Sequence, residues 1–178
     1  YHTKVAVQKA QIPLGANLGK QHFTIYSGFQ RGTAIKIGQG GKELIKAVKE
    51  KSLIPIIKHL DGICHIYVDK EANLKTAKKV IYNSKMRRPG ICGAVETLLI
   101  DKNLSNQAMS ILAELKNSDC EIRGDSFIEH LDKSFKLATN NDWDTEYLDK
   151  IISVKMVDGV IGAIEHINKH SSNHTESI

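Results

Sequence analysis

Cys92 closes the segment Arg87-Arg88-Pro89-Gly90-Ile91-Cys92, the stretch of the chain best suited to chemistry. A cysteine thiolate is a strong nucleophile, and neighbouring arginines lower the pKa of the thiol. Arg87 and Arg88 also have the charge and the geometry to bind a phosphate group. Pro89 and Gly90 end a preceding helix, which predicts that Cys92 lies in a turn. A single cysteine in a turn is, however, more often an unreactive small residue, so both interpretations stay open on this segment alone.

Three histidines near the end of the chain have the spacing of metal ligands. His166, His170 and His174 follow one another at i, i+4 and i+8, which can place three imidazoles on one face of a helix. The polar residues 171–173 are expected to end that helix before His174. No metal site is therefore predicted.

The composition is that of an ordinary globular domain, with 41% hydrophobic and 25% charged residues in 178. No apolar run approaches the roughly 20 residues of a transmembrane helix, and the first residues show no secretory signal, so no membrane partner is predicted. The net charge of +5 is spread along the chain, which favours solvated helix faces over a nucleic-acid surface. The three cysteines lack CxxC spacing, which indicates free thiols in a reducing, cytoplasmic compartment; Cys64 and Cys120 are predicted to be buried.

From about residue 40 the chain alternates segments of helical periodicity with short β-rich runs. Helices are predicted at 42–51, 73–83 and 103–116, after a cap at Asp125, and after a second cap at Asp158. Strands are predicted at 53–57, 63–68, 95–100, 120–123, 135–138 and 152–157, and residues 140–143 are predicted to be a loop. Strands that alternate with helices indicate an α/β domain with a largely parallel sheet.

The segment 54–100 resembles the catalytic region of the γ-glutamyl phosphate reductases. Several sequence words agree in order and spacing: Ile54-Pro55-Ile56-Ile57, Asp61-Gly62-Ile63-Cys64-His65-Ile66-Tyr67-Val68-Asp69, Asn83-Ser84-Lys85, Arg88-Pro89-Gly90-Ile91-Cys92 and Glu96-Thr97-Leu98-Leu99. Weaker agreement continues through Trp143, Glu146-Tyr147-Leu148-Asp149 and His174-Thr175-Glu176-Ser177-Ile178. The resemblance covers about residues 40–178, and it identifies Cys92 as the candidate nucleophile.

The resemblance implies a three-layer αβα catalytic domain of the aldehyde-dehydrogenase-like type with a mostly parallel sheet. The implied reaction is the NADPH-dependent reduction of L-glutamyl 5-phosphate to L-glutamate 5-semialdehyde, with release of phosphate, in proline biosynthesis. Cys92 would attack the acyl carbon and form a thioester, which hydride from the cofactor then reduces. The implied partners are a small-molecule substrate and NADP(H), and the oligomeric state is left open.

Four further residues are candidates for binding the substrate or its phosphate: Arg87, Arg88, Gly93 and His65. Gly93 stands where the family often has asparagine, so only its backbone N–H can contribute to an oxyanion hole. His65 belongs to one of the matching words, but it can equally satisfy a backbone carbonyl. His59 lies near the position of the general base of aldehyde dehydrogenases, although the reduction of an acyl phosphate needs no water-activating base.

Residues 1–36 are expected to be a remnant of the nucleotide-binding region, and residues 37–178 the catalytic domain. Ile12-Pro13-Leu14-Gly15 resembles the family word that precedes the cofactor-binding core, so most of that half is expected to be missing between this word and Gly40-Gly41. Gly40 and Gly41 are the possible cofactor-binding residues, although their loop lacks the Lys-Ser/Thr of a phosphate loop. The alternative interpretation is a truncated, non-catalytic remnant without a working cofactor site.

Overall fold

A computed structural model of the protein describes residues 61–178, together with Glu50 and the backbone of residues 35–36 and 56–57. The chain divides into two units, residues 1–60 and residues 61–178. In the first unit, strand β1 (Ile35–Lys36) pairs in parallel with strand β2 (Ile56–Ile57), which lies inside the predicted strand 53–57. Apart from Glu50, the predicted helix 42–51 lies outside the described residues, as do Gly40, Gly41 and His59. The predicted domain boundary at residue 36 stays a prediction.

The second unit alternates strands with helices, as the sequence predicts. Its elements are β3 (Cys64–Val68), α1 (Leu74–Met86), β4 (Val95–Asp101), α2 (Ala108–Asn117), β5 (Glu121–Gly124), α3 (Ser126–Glu129), β6 (Lys136–Leu137), β7 (Ile151–Val157), α4 (Gly159–His170) and β8 (Glu176–Ser177). Two 3-10 helices, Lys102–Gln107 and Asn140–Asp144, precede α2 and follow β6.

Six strands form one sheet in the order β6-β5-β7-β4-β3-β8, and every neighbouring pair is parallel. A parallel pair needs a crossover connection, and the helices between the strands provide it. The central strands β4 and β7 are buried almost throughout, which is typical of a parallel sheet covered on both faces. The predicted α/β class with a mostly parallel sheet is confirmed.

The two faces of the sheet have different coverings. Ile66 and Leu98 belong to the main hydrophobic core, which also takes in apolar residues of α1 and α2. Tyr67 and Leu99 alternate with them along the strands and join a smaller cluster with Ala163 of α4. Helices therefore cover both faces, and the described unit has the predicted three layers.

Three predicted segments differ from the structure. The predicted helix 103–116 is split, because Lys102–Gln107 forms a 3-10 turn before α2 begins; its asparagine and serine side chains compete for backbone hydrogen bonds and weaken an α-helix. The predicted loop 140–143 is a 3-10 helix whose Asp142 carboxylate accepts hydrogen bonds from Thr139. The predicted strand 135–138 shrinks to Lys136–Leu137, and the two-residue strand β8 was not predicted.

Aspartates terminate strands at the carboxyl edge of the sheet and begin the segments that follow. Asp69 accepts a hydrogen bond from the N–H of Glu71, and Asp101 accepts one from Asn103. Asp125 accepts from two N–H groups of α3, as its predicted capping role requires. Asp158 occupies the predicted cap position of α4, but its side chain makes no capping hydrogen bond. Three of these four aspartates thus accept hydrogen bonds from backbone N–H groups.

Gly124 is a position where only glycine fits, because a Cβ there would lie 2.3 Å from Cγ2 of Ile128. We expect Gly124→Ala to lower the free energy of unfolding by about 1–3 kcal/mol through overpacking. Gly93→Ala is the matched control, since a Cβ at that position meets no atom within 4 Å. Urea unfolding of both variants measures the difference, and equal losses would contradict the packing argument.

Candidate active site around Cys92

Cys92 lies at the amino edge of the parallel sheet, in the loop that leads into β4. Three other loops reach the same edge and carry the residues that surround it: Gly62 before β3, Glu146 before β7 and His174 before β8. In open α/β sheets, ligands usually bind beyond the carboxyl ends of the strands. The site around Cys92 departs from this rule, because it lies at the amino edge of the sheet, opposite the edge that carries the capping aspartates.

His174 is the closest polar partner of the Cys92 thiol. Its Nε2 lies 3.2 Å from Sγ of Cys92, and its Nδ1 lies 2.8 Å from Oγ1 of Thr175. When Nδ1 carries the hydrogen and donates a hydrogen bond to Oγ1 of Thr175, Nε2 carries no hydrogen and can accept the proton of the thiol. Cys92 is partly exposed, so a substrate can reach it. The arrangement is that of a cysteine nucleophile with an adjacent base.

Cys64 packs beneath Cys92 and is unsuited to act as a nucleophile. Its thiol donates a hydrogen bond to the Cys92 carbonyl oxygen at 3.1 Å and lies 3.5 Å from Nδ1 of His174. Burial raises the pKa of Cys64 to about 11, and burial raises the pKa of Cys120 to about 11 as well. Both cysteines are buried, as predicted, and Cys92 is the accessible thiol among the three.

The candidate phosphate ligands Arg87, Arg88 and Gly93 line one cavity of about 200 Å³ beside the Cys92 loop. The cavity is also lined by Asn83, Ser84 and Ile91. Both arginines follow the end of α1 and are exposed, so their guanidinium groups are available to an anion. These three predicted residues therefore lie together in the structure, and all of them are close to Cys92 in the sequence.

His65, the fourth candidate, contacts different groups. Its Nδ1 lies 3.0 Å from Oε2 of Glu176, and its ring packs edge-on against His166 at 5.6 Å between centroids. His166 in turn contacts the rings of Trp143 and His170. Burial lowers the pKa of His65, and the Glu176 carboxylate opposes that effect. These contacts give His65 a packing role, and a substrate-binding role for it stays a prediction.

The three histidines with metal-ligand spacing separate in the structure. His166 and His170 lie one turn apart on α4, with ring centroids at 4.5 Å, whereas α4 ends at His170 and His174 turns to Cys92. The predicted end of the helix before His174 is confirmed. Within residues 61–178, no three His, Cys, Asp or Glu side chains are placed to hold a metal ion. None of the described helices is long and apolar enough to cross a bilayer.

His166 makes the stability of the fold depend on pH. Burial lowers its pKa to about 3, and the positive charge of Lys155, whose Nζ lies 3.3 Å from Nδ1, acts in the same direction. His166 therefore binds a proton near pH 6.5 in the unfolded chain, but only near pH 3 in the folded chain. We expect the free energy of unfolding to fall as the pH drops through this window, by at most about 1.4 kcal/mol per pH unit.

Unfolding by urea at several pH values tests this dependence. His166→Phe keeps a ring in the cluster but removes the titrating group, so its curve should be flatter between pH 6.5 and 3. Some slope should persist, because the pKa of His65 is lowered too. His130→Phe, at an exposed position, is the control and should keep the native slope. A native slope in His166→Phe would show that another group controls the acid sensitivity.

A buried ion pair supports the site and was not predicted. Nζ of Lys85 lies 2.6 Å from Oε2 of Glu96, and both side chains are 0% exposed. Burial raises the pKa of Glu96 to about 7, although Lys85 and two backbone N–H groups favour its charged form. Lys85 and Glu96 belong to the sequence words Asn83-Ser84-Lys85 and Glu96-Thr97-Leu98-Leu99. The agreement of these words with the family was the signal in the sequence that could have pointed to the pair. Charge alone would place both on the surface.

The chain is similar in sequence to part of several known reductases. The chain is 46% identical over 154 residues to the γ-glutamyl phosphate reductase of Bradyrhizobium sp., and 49% identical over 143 residues to that of Brucella suis. It is homologous to one region of the γ-glutamyl phosphate reductases. The matches cover 86% and 80% of the chain but only 36% and 34% of these relatives, so the chain spans about a third of their length. No family model matches the chain.

The solved structures support the same relationship. The γ-glutamyl phosphate reductase of Thermotoga maritima superposes with a TM-score of 0.75 at 42% identity, over 79% of this chain and 34% of that one. An acetylating aldehyde dehydrogenase from Geobacillus thermoglucosidasius superposes with a TM-score of 0.57 at 20% identity, over 80% of this chain and 40% of that one. The second match shows the fold alone. The predicted resemblance to the γ-glutamyl phosphate reductases and the aldehyde-dehydrogenase-like fold are confirmed.

Proposed function

We propose that Cys92 is the nucleophile of an acyl-phosphate reductase that converts L-glutamyl 5-phosphate to L-glutamate 5-semialdehyde. The observation that carries the proposal is the 3.2 Å contact between Sγ of Cys92 and Nε2 of His174. Such a contact gives the thiol an adjacent base that can take its proton when the sulfur attacks. The homologous proteins are named γ-glutamyl phosphate reductases, and this name supports an acyl phosphate as the class of substrate.

The first chemical step needs only residues of the described unit. His174 takes the thiol proton on Nε2, and the Cys92 thiolate attacks the acyl carbon of the substrate. A C–S bond forms, the bond from the acyl carbon to the phosphate oxygen breaks, and phosphate leaves with the electron pair. Arg87 and Arg88 would bind the departing phosphate, and the N–H of Gly93 would stabilise the oxyanion; their shared position in the lining of one cavity supports these roles. The product of this step is a thioester on Cys92.

The second step requires NADP(H), which supplies the hydride that reduces the thioester carbonyl to the aldehyde level. The cavity of about 200 Å³ beside Cys92 is smaller than the 300–1,000 Å³ typical of sites for drug-sized ligands. Within residues 61–178, the lining of this cavity therefore fits an anion and does not fit a whole dinucleotide. The predicted ligands Gly40 and Gly41 lie outside the described residues.

A non-catalytic remnant of the γ-glutamyl phosphate reductases is the alternative proposal. The chain spans about a third of their length. Without a residue set that holds the cofactor against the thioester, hydride transfer loses its positioning, which can contribute about 7–11 kcal/mol. This candidate keeps the thiol chemistry of Cys92 and loses the reduction. A cytoplasmic location and a small-molecule substrate, with no nucleic-acid or membrane partner, complete the proposal for both candidates.

Acyl transfer to Cys92 tests the proposed function without the cofactor. On addition of acetyl phosphate, a stable acyl-phosphate probe, the 178-residue chain should release phosphate in an amount stoichiometric with the protein and gain an acetyl group on Cys92, detected by mass spectrometry. Subsequent turnover with NADPH should be slight. Cys92→Ala should abolish the release, and Cys120→Ala is the matched control. Release that persists in Cys92→Ala would contradict the assignment of the nucleophile.

A further inference from the structure

Gly62 forms the floor of the Cys92 loop. A Cβ added to Gly62 would lie 2.1 Å from the carbonyl oxygen of Cys92, so this carbonyl lies directly against the Gly62 backbone. No side chain fits between the two segments. The position of the Cys92 backbone therefore depends on where the Gly62 backbone is held.

Glu146 holds the Gly62 backbone by a hydrogen bond. Its Oε1 accepts a hydrogen bond from the N–H of Gly62 at 2.9 Å. The same Cβ point at Gly62 lies 2.8 Å from this oxygen and 2.1 Å from the carbonyl oxygen of Cys92. Three chain segments that are distant in sequence thus meet at one glycine.

The segment that carries Glu146 is itself fixed to the core. The N–H of Leu148 donates to Oε1 of Glu96 at 3.3 Å, and the N–H of Tyr147 also bonds to this carboxylate. Glu96 is paired with Lys85 on its other oxygen, and both are fully buried in the sheet and α1. The Glu146 carboxylate therefore projects from a backbone segment that cannot move freely.

We propose that Glu146 is a positioning residue whose carboxylate holds Gly62 against the carbonyl of Cys92 and thereby keeps the Cys92 thiol beside His174. The inference rests on the proposed role of Cys92 as nucleophile. Glu146 acts through the Gly62 backbone and not by contact with the substrate. A hydrogen-bond acceptor at this position is the requirement, and a negative charge is not.

Alkylation of Cys92 by iodoacetamide in the 178-residue chain tests the proposal. Glu146→Ala removes the acceptor, and we expect the rate at pH 7 to fall roughly tenfold, the effect of losing one hydrogen bond to a charged group. Glu146→Gln keeps an oxygen acceptor, so its alkylation rate should lie within about twofold of the native rate. Glu114→Ala, at an exposed position, is the control and should also react within about twofold of the native rate.

The possible outcomes separate the two proposals. A native rate in Glu146→Ala would overturn the positioning role while leaving Cys92 and His174 as proposed. Equal losses in Glu146→Ala and Glu146→Gln would also overturn it, because charge would then be the requirement. If Cys92 in the unmodified chain reacts no faster than a denatured thiol, the proposed nucleophile itself fails. Should the alanine variant not fold, Glu146→Asp, whose carboxylate is one methylene shorter, replaces it under the same expectations.

Discussion

Replacing His174 by alanine should slow the alkylation of Cys92 at pH 7 by roughly ten- to a hundredfold, because the thiol loses the neighbouring base that can take its proton. Nε2 of His174 lies 3.2 Å from Sγ of Cys92. The rate of iodoacetamide incorporation at Cys92, followed by peptide mass spectrometry across pH 5–10, measures the change.

Two references make the measurement decisive. His170→Ala removes a histidine that contacts His166 and Asp144, and it should leave the Cys92 rate unchanged. Cys120, which is buried with a pKa raised to about 11, should react slowly in every variant until the protein unfolds. If His174→Ala reacts at the native rate, the short contact has no chemical consequence and Cys92 is an ordinary exposed thiol.

Lys85→Ala should lower the free energy of unfolding by about 3–5 kcal/mol, which is the usual cost of leaving one charge of a buried pair without its partner. Both Lys85 and Glu96 are 0% exposed and lie 2.6 Å apart. Part of the loss can be recovered by protonating Glu96, since burial already raises its pKa to about 7. The variant should therefore be less unstable at pH 5 than at pH 8, as measured by urea unfolding.

The double variant Lys85→Met with Glu96→Leu tests whether the loss of stability comes from the unpaired charge. Replacing both charges with apolar side chains of similar size removes the unpaired charge, so this variant should be much more stable than Lys85→Ala. Lys79→Ala, at an exposed position on the same helix, should change the free energy of unfolding by less than about 0.5 kcal/mol. A Lys85→Ala loss as small as that of Lys79→Ala would contradict the argument.

The periodicity of the sequence was sufficient to predict the parallel sheet. The runs 63–68, 95–100 and 152–157 are rich in apolar and β-branched residues, and each is followed directly by an aspartate, which is typical of strands in a buried parallel sheet. These runs became β3, β4 and β7. The short edge strand β8 could not be predicted, because two residues carry no periodicity and its pairing depends on the register of β3. The predicted loop at 140–143 was wrong because its apolar Trp143 is buried by tertiary contacts.

The composition of the site was predicted only in part. Arg87, Arg88 and Cys92 are close in sequence, so one local motif was enough to group them. His174 lies 82 residues from Cys92 and reaches it only because β3 has β4 and β8 as its two neighbours. The sequence showed His174 only as the third of three histidines spaced by four residues, and the predicted end of the helix before His174 already argued against that grouping. Contacts between distant loops at one edge of a sheet leave no periodic signal in a single sequence.

The four loops at the amino edge also set an order in time for the synthesis of the protein. Gly62 and Cys92 emerge from the ribosome well before Glu146, and His174 emerges last. Until about 82 further residues have been added, the nascent chain carries the proposed nucleophile without its proposed proton acceptor. The pair is therefore complete only when the segment that contains β8 has been synthesised and has joined the sheet.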